Sequence, residues 1–96
     1  MTSKRWQARV LVFPRPEILD PQGKAVTQAL GRLGFDEVAE LRAGKAFELE
    51  LRAPARQEAE GRLVEMCEQL LANTIIEDYR VEVAEAPLEE AVESTS

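Results

Sequence analysis

The chain has 96 residues, 45% of them hydrophobic and 31% charged, with a formal net charge of −6 and a pI near 4.7. That is enough for one domain with one modest core. The acidic balance argues against nucleic acid or an anionic membrane as partner, since both call for a basic footprint, and no apolar run approaches a membrane span. The chain holds no histidine and a single cysteine, which excludes His-dependent triads, the usual His-based metal sites and an internal disulfide framework.

Lys4, Arg5, Arg9 and Arg15 all precede the first acidic residue, a hint of a transit peptide. Residues 6–12 read instead as a strand with no secretory apolar core after them. Residues 1–5 are therefore expected to be a loose end, and the cytoplasm the place of work. The first strand spans residues 6–13. Trp6, Ala8, Val10 and Val12 share one face by the two-residue period, and Leu11 and Phe13 the other. Pro14-Arg15-Pro16 ends it. Asp20 then stands where a helix N-cap belongs, able to accept from the first-turn N–H groups, and Pro21 suits the first helical position. The carboxylate also complements the positive end of the helix dipole. Gln22, Gly23 and Lys24 are not needed for capping. A first helix is predicted over residues 21–33, with Ala25, Val26, Ala29, Leu30 and Leu33 as its apolar stripe and Gly34 as the terminating glycine.

Residues 38–42 are expected to form a short second strand, Ala43-Gly44 a tight turn, and residues 45–52 a third strand. In that third strand Phe47, Leu49 and Leu51 point inward and Glu48, Glu50 and Arg52 outward, so the pair reads as a hairpin. A second helix over residues 54–72 carries Ala59, Leu63, Met66, Cys67, Leu70 and Leu71 on one face. A fourth strand runs from residue 77 or 78 to 84. Residues 85–96 hold Pro87 and four glutamates but no base; they read as a solvated tail to a single domain over residues 1–84. The order β-α-β-β-α-β predicts an α+β, ferredoxin-like fold. It would be a four-stranded antiparallel sheet with strands one and three central and both helices on one face. Leu11 and Phe13 make the helix-free face the expected place of self-association.

Few groups offer chemistry. Cys67 falls on an apolar stripe, where cysteine packs as a small hydrophobe, and no histidine is present to activate it. Glu77 and Asp78 are adjacent on a strand and so point to opposite faces, unsuited to paired acid–base work. Arg42 and Lys45 flank the predicted turn as a cationic pair that could meet a phosphate or an acidic partner. Gln22-Gly23-Lys24 lacks the spacing of a P-loop. No metal-ligand cluster, nucleotide fingerprint or repeat is present, so physics alone favours an interaction module over a self-sufficient enzyme.

Several strings go further: residues 19–26 (Leu19-Asp20-Pro21-Gln22-Gly23-Lys24-Ala25-Val26), Gly34-Phe35-Asp36-Glu37-Val38, Arg42-Ala43-Gly44-Lys45 with Glu48-Leu49, and the run from Cys67 through Asn73-Thr74-Ile75-Ile76-Glu77-Asp78 to Tyr79. In this order and spacing, across residues 6–84, they resemble the PurS family, the small subunit of phosphoribosylformylglycinamidine synthase. The resemblance implies a subunit that is not itself catalytic and binds no cofactor. It would work in an ATP- and glutamine-dependent ligase of purine biosynthesis that amidates formylglycinamide ribonucleotide. It further implies a homodimer or homotetramer that bridges a glutaminase subunit and a synthetase subunit and supports ammonia transfer, with ATP and magnesium held by the synthetase. Gln22, Lys24, Arg42 and Lys45 are the expected partner contacts, from residue type and motif. The competing expectation is a stand-alone ferredoxin-like module that regulates or binds a small ligand, which would have no reason to carry the strings around Asp20 and Asn73.

Overall fold

Alternation builds the sheet. The computed structural model describes residues 3–86, and its centre is a long strand β1 (Lys4–Pro14). β1 is flanked on one side by β2 (Lys45–Ala53) and on the other by β3 (Glu77–Glu85), both antiparallel to it. Trp6 lies opposite Leu51, Ala8 opposite Leu49 and Val83, and Val10 opposite Phe47 and Val81. Residues directly across an antiparallel pair share a face, so these collect on one side. Arg5, Gln7, Arg9, Glu48, Glu50 and Glu82 collect on the other, where Arg5 meets Glu50 and Arg9 meets Glu48, each at 2.9 Å.

Helix α2 (Arg56–Met66) covers the apolar side and runs directly into a π-helical turn, Cys67–Leu71. Ala59, Leu63 and Cys67 from this helix are buried against Trp6, Ala8, Val10 and Val12. The indole of Trp6 donates to the Ala53 carbonyl at 2.9 Å, so a buried polar atom is satisfied at the edge of the core. The expected core role of Cys67 is met.

Three expectations are corrected. The sheet has three strands, not four, with order β2-β1-β3. Residues 38–42 form no strand and no hairpin, which leaves β2 at an edge and β1 alone in the centre. The cause lies at Gly44. No turn is present at residues 43–44, and the chain runs on from there into β2. A Cβ on Gly44 would overlap the Val12 carbonyl oxygen and stand 2.6 Å from the Phe13 ring. It is a glycine of close approach, not of a turn. Among the described residues only one helix lies on the sheet. α1 (Pro21–Arg32) makes no extended packing against the strands or α2. Its stripe is covered only in part: Ala29 and Leu30 are half-buried, while Ala25, Val26 and Leu33 (72%) are exposed, as is Phe35.

The second helix also departs from regular spacing. Ala72 donates to Cys67 across five residues, and the wider turn shifts the helical phase. Leu70, predicted on the apolar face, is 83% exposed while Leu71 is half-buried. Of the residues assigned to the tail, only Glu85 and Ala86 are among the described residues. Glu85 ends β3, and Ala86 is buried and donates to the Arg5 carbonyl; residues 87–96 lie outside the described residues. No helix among the described residues is long and apolar enough to cross a membrane.

Candidate functional site

The strings singled out in the sequence meet at the Pro14 end of β1. Asp20 caps α1 by accepting from the Gly23 N–H at 3.0 Å, and its second oxygen accepts from the Ala43 N–H at 2.9 Å. One carboxylate thus ties the start of α1 to the chain entering β2. These two N–H groups, with a smaller contribution from the Arg42 charge, hold the Asp20 carboxyl below its ordinary value of 3.8. Gly23 is buried there, and a Cβ would overlap the Asp20 carboxylate and lie 2.8 Å from the Leu41 carbonyl. Sequence reasoning found the cap but not the tie to Ala43. The glycine after Pro21-Gln22, unneeded for capping, was the available signal. Gly34 is the terminator expected: its φ is 99°. Gly34 donates to Gly31 and Phe35 to Leu30, the paired bonds of a Schellman cap.

Opposite Asp20, Arg15 organises the turn from Asn73 to Asp78. Its backbone N–H donates to the Ile76 carbonyl at 2.9 Å, its guanidinium to the Thr74 carbonyl at 2.6 Å, and Nε lies 3.5 Å from Asp78. Asn73 closes the turn locally, its side chain accepting from Ile75 and its N–H donating to Glu77 at 2.7 Å. Glu77 and Asp78 are therefore occupied in holding the turn, and Ile75 is displayed 82% exposed at its tip.

Of the four predicted contact residues, the structure brings Arg42 and Lys45 to this end and engages both. Arg42 donates to the Pro14 carbonyl at 2.7 Å and lies over the Phe13 ring at 5.6 Å. Lys45 stands 4.0 Å from Glu77 and 5.9 Å from the Phe47 ring centroid. Gln22 and Lys24 project from the first turn of α1 with exposed side chains. Phe13 gets its cover from Arg42 and Gly44 of the same chain. Leu11, on the same helix-free face, is half-buried, and the rest of that face carries mainly charged side chains such as Arg5, Arg9, Glu48, Glu50 and Glu82. A shallow hollow of about 230 Å³ lies between Leu11, Phe13, Arg42, Asp78, Tyr79 and Arg80. Among the described residues no group of three or more His, Cys, Asp or Glu side chains is placed to hold a metal ion.

Tyr79 completes this end. Its hydroxyl donates to Glu68 at 2.7 Å, and that bond, with burial and the Glu68 charge, pushes its pKa up to about 12. Burial, then the Glu68 charge, also raises the Cys67 thiol, which keeps it protonated and unreactive. Tyr79 is the sole tyrosine, so the phenolate absorbance reads this contact alone. Its titration midpoint is expected near 12, and Glu68→Gln should bring it down toward 10. A midpoint near 10 in the unaltered protein would contradict the contact.

The same strings set the family. A family model described as PurS, phosphoribosylformylglycinamidine (FGAM) synthase, matches residues 7–85, which include every element above except the first three residues of β1. The chain belongs to the PurS family. It is 47% identical over 81 residues to the phosphoribosylformylglycinamidine synthase subunit PurS of Synechocystis, covering 84% of this chain and 81% of that protein. Among solved structures, Thermus thermophilus PurS superposes with a TM-score of 0.77 at 42% identity, over 86% of this chain and 99% of that one. A chain from the structure of PurLQS from Thermotoga maritima superposes with a TM-score of 0.74 at 30% identity, over 85% and 98%. Family membership therefore rests on most of the length of both this chain and its relatives.

Proposed function

We propose that this chain is the small, non-catalytic subunit of phosphoribosylformylglycinamidine synthase in cytoplasmic purine biosynthesis. In this reading it works as a homodimer or homotetramer. It holds a glutaminase subunit against a synthetase subunit and supports passage of ammonia between them for amidation of formylglycinamide ribonucleotide. ATP and magnesium belong to the synthetase partner. The observation that carries the reading is the family match over residues 7–85, supported by the likeness to a chain of the Thermotoga maritima PurLQS structure. The arrangement of the Pro14 end is consistent with an assembly role. Its carboxylates and guanidinium groups are spent on fixing turns, and it displays Ile75, Leu70, Gln22 and Lys24 outward.

Gln22, Lys24, Arg42 and Lys45 are the proposed partner contacts. Arg42 and Lys45 also hold this chain's own structure, so Gln22 and Lys24 give the cleaner test. Glutamine-dependent amidine formation is to be measured with purified glutaminase and synthetase subunits, with and without this chain. Activity should depend on its addition; full activity in its absence overturns the proposal. A Gln22→Ala, Lys24→Glu double variant should need about tenfold more protein for half-maximal stimulation, the loss of one modest interface contact, with thermal stability unchanged.

A further inference from the structure

Across the helix-free face of the sheet, opposed charges balance row by row with one exception. Arg9 lies between Glu48 and Glu82, and Gln7 between Glu50 and Ala84. In the next row Arg5 stands directly opposite Arg52. This is the one like-charge pair directly across strands in the described sheet, and such a pair destabilises a sheet. Glu50 reaches Arg5 at 2.9 Å. Arg52 is exposed and has no ion pair among the described residues.

The third place in that row belongs to the chain leaving β3. Glu85 pairs with Trp6, and Ala86 donates to the Arg5 carbonyl at 2.9 Å. The sequence continues as Pro87-Leu88-Glu89-Glu90-Ala91-Val92-Glu93, with three carboxylates and no base in residues 87–96. This segment lies beyond residues 7–85, the part shared with the family model. Arg52 is two strand spacings from Ala86, about 10 Å. Glu89 and Glu90 follow Ala86 by roughly 10–13 Å of extended chain, so both carboxylates are within reach of the arginine pair.

We propose that residues 87–96 fold back over the Arg5–Arg52 row of the same chain, with Glu89 and Glu90 on the two guanidinium groups. Arginine suits this occupant, because its planar fork of donors matches a carboxylate in charge and in geometry. The segment starts in the very row that lacks negative charge. That tether holds its carboxylates at a high effective concentration, so the chain's own tail outcompetes a free carboxylate of the same kind. The strap borders the hollow of about 620 Å³ lined by Gln7, Arg9, Glu48, Glu50 and Glu82. An acidic surface that approaches this end of the sheet must displace the strap before it can reach the arginines. The contact goes beyond the subunit role proposed above and does not depend on it.

Paramagnetic broadening in the nuclear magnetic resonance spectrum of the full chain tests this. A nitroxide is attached at Val92→Cys; Cys67 is buried, so the label goes to residue 92. The amide signals of Arg5 and Arg52 should broaden. Those of Phe13 and Asp78, roughly 26 Å away along β1, should stay sharp. The broadening should be lost in about 1 M salt, where the screening length falls to about 3 Å. It should also be lost on adding Glu89→Gln and Glu90→Gln, changes that leave the described sheet untouched, or Arg52→Gln. Nitroxide-bearing chains without isotope are then unfolded and refolded together with isotope-labelled chains without nitroxide, and the signals of the latter should stay sharp. Equal broadening at the two ends of the face, broadening that survives the glutamine changes, or broadening passed to the isotope-labelled chains would each overturn the proposal. Amidine formation is not read, so the strap can fail while the subunit role holds, and the reverse.

Discussion

Leu63→Ala is expected to remove about 3 kcal/mol of stability, with a fall in melting temperature of roughly 15 °C. Leu63 is fully buried and belongs to the cluster with Val10, Val12 and Cys67. Among the described residues α2 is the one helix that covers the sheet, so neighbouring side chains cannot refill the space without pulling that helix inward. The loss falls on a small core. The largest fully buried side chains are Leu63, Val10, Val12 and Cys67, and a domain of this size has on the order of 5 kcal/mol in total. Urea unfolding followed by the fluorescence of Trp6, the only tryptophan, measures it directly. A midpoint within error of the unaltered protein would mean that α2 is not the main cover of β1. The comparison belongs at one fixed protein concentration, because association adds to the apparent stability.

What the sequence made legible was local. The alternation in residues 6–13, 45–52 and 77–84 marked the three strands to within two residues at either end. Asp20-Pro21 marked a helix start, and Gly34 a helix stop with the left-handed φ it was expected to have. Cys67 was legible as core from its place on a helical stripe. The errors share a cause, which is that periodicity says a face is covered without saying by what. The stripe on α1 is as apolar as that of a core helix, and Val38, Leu41 and Arg42 read as a strand, yet neither joins this chain's own sheet. The meaning of Gly44 decided between a hairpin and a direct entry into β2, and a glycine serves a tight turn and a close backbone approach equally well. Leu70 was misplaced because a π turn, one residue wider than the regular helix, has no sequence signature in Cys67-Glu68-Gln69-Leu70-Leu71. At the candidate site, residue type singled out Gln22, Lys24, Arg42 and Lys45. The tie from Asp20 to Ala43 spans 23 positions and is visible only in three dimensions.

That tie gives the second large effect. Gly23→Ala is expected to cost about 2–3 kcal/mol, an overpacking penalty at a site with no slack. The added Cβ would overlap the Asp20 carboxylate and crowd the Leu41 carbonyl. One obstacle is the cap and the other is backbone, so relief requires α1 to separate from the chain entering β2. Gly61→Ala in α2 is the control. A Cβ there meets nothing within 4 Å, and the change should add about 1 kcal/mol by helix propensity alone. The paired variants therefore separate a steric cost from a backbone-entropy effect, and equal behaviour at the two positions would contradict the contact. The carboxylate leaves its own signature in pH. Its native pKa is depressed below 3.8 by hydrogen bonds from Ala43 and Gly23. Its contribution is therefore fully present above the ordinary value and is lost as pH falls through the depressed one. Gly23 and Ala43 donate to different oxygens of Asp20, and Asp20→Asn replaces one of these oxygens with an NH2 group that faces an N–H with a donor. That variant should be less stable at neutral pH and should lose the share of acid sensitivity that belongs to this group. Its stability deficit against the unaltered protein should therefore shrink between pH 6 and pH 3. A deficit that stayed constant over that range would show that Asp20 acts through packing and not through its charge.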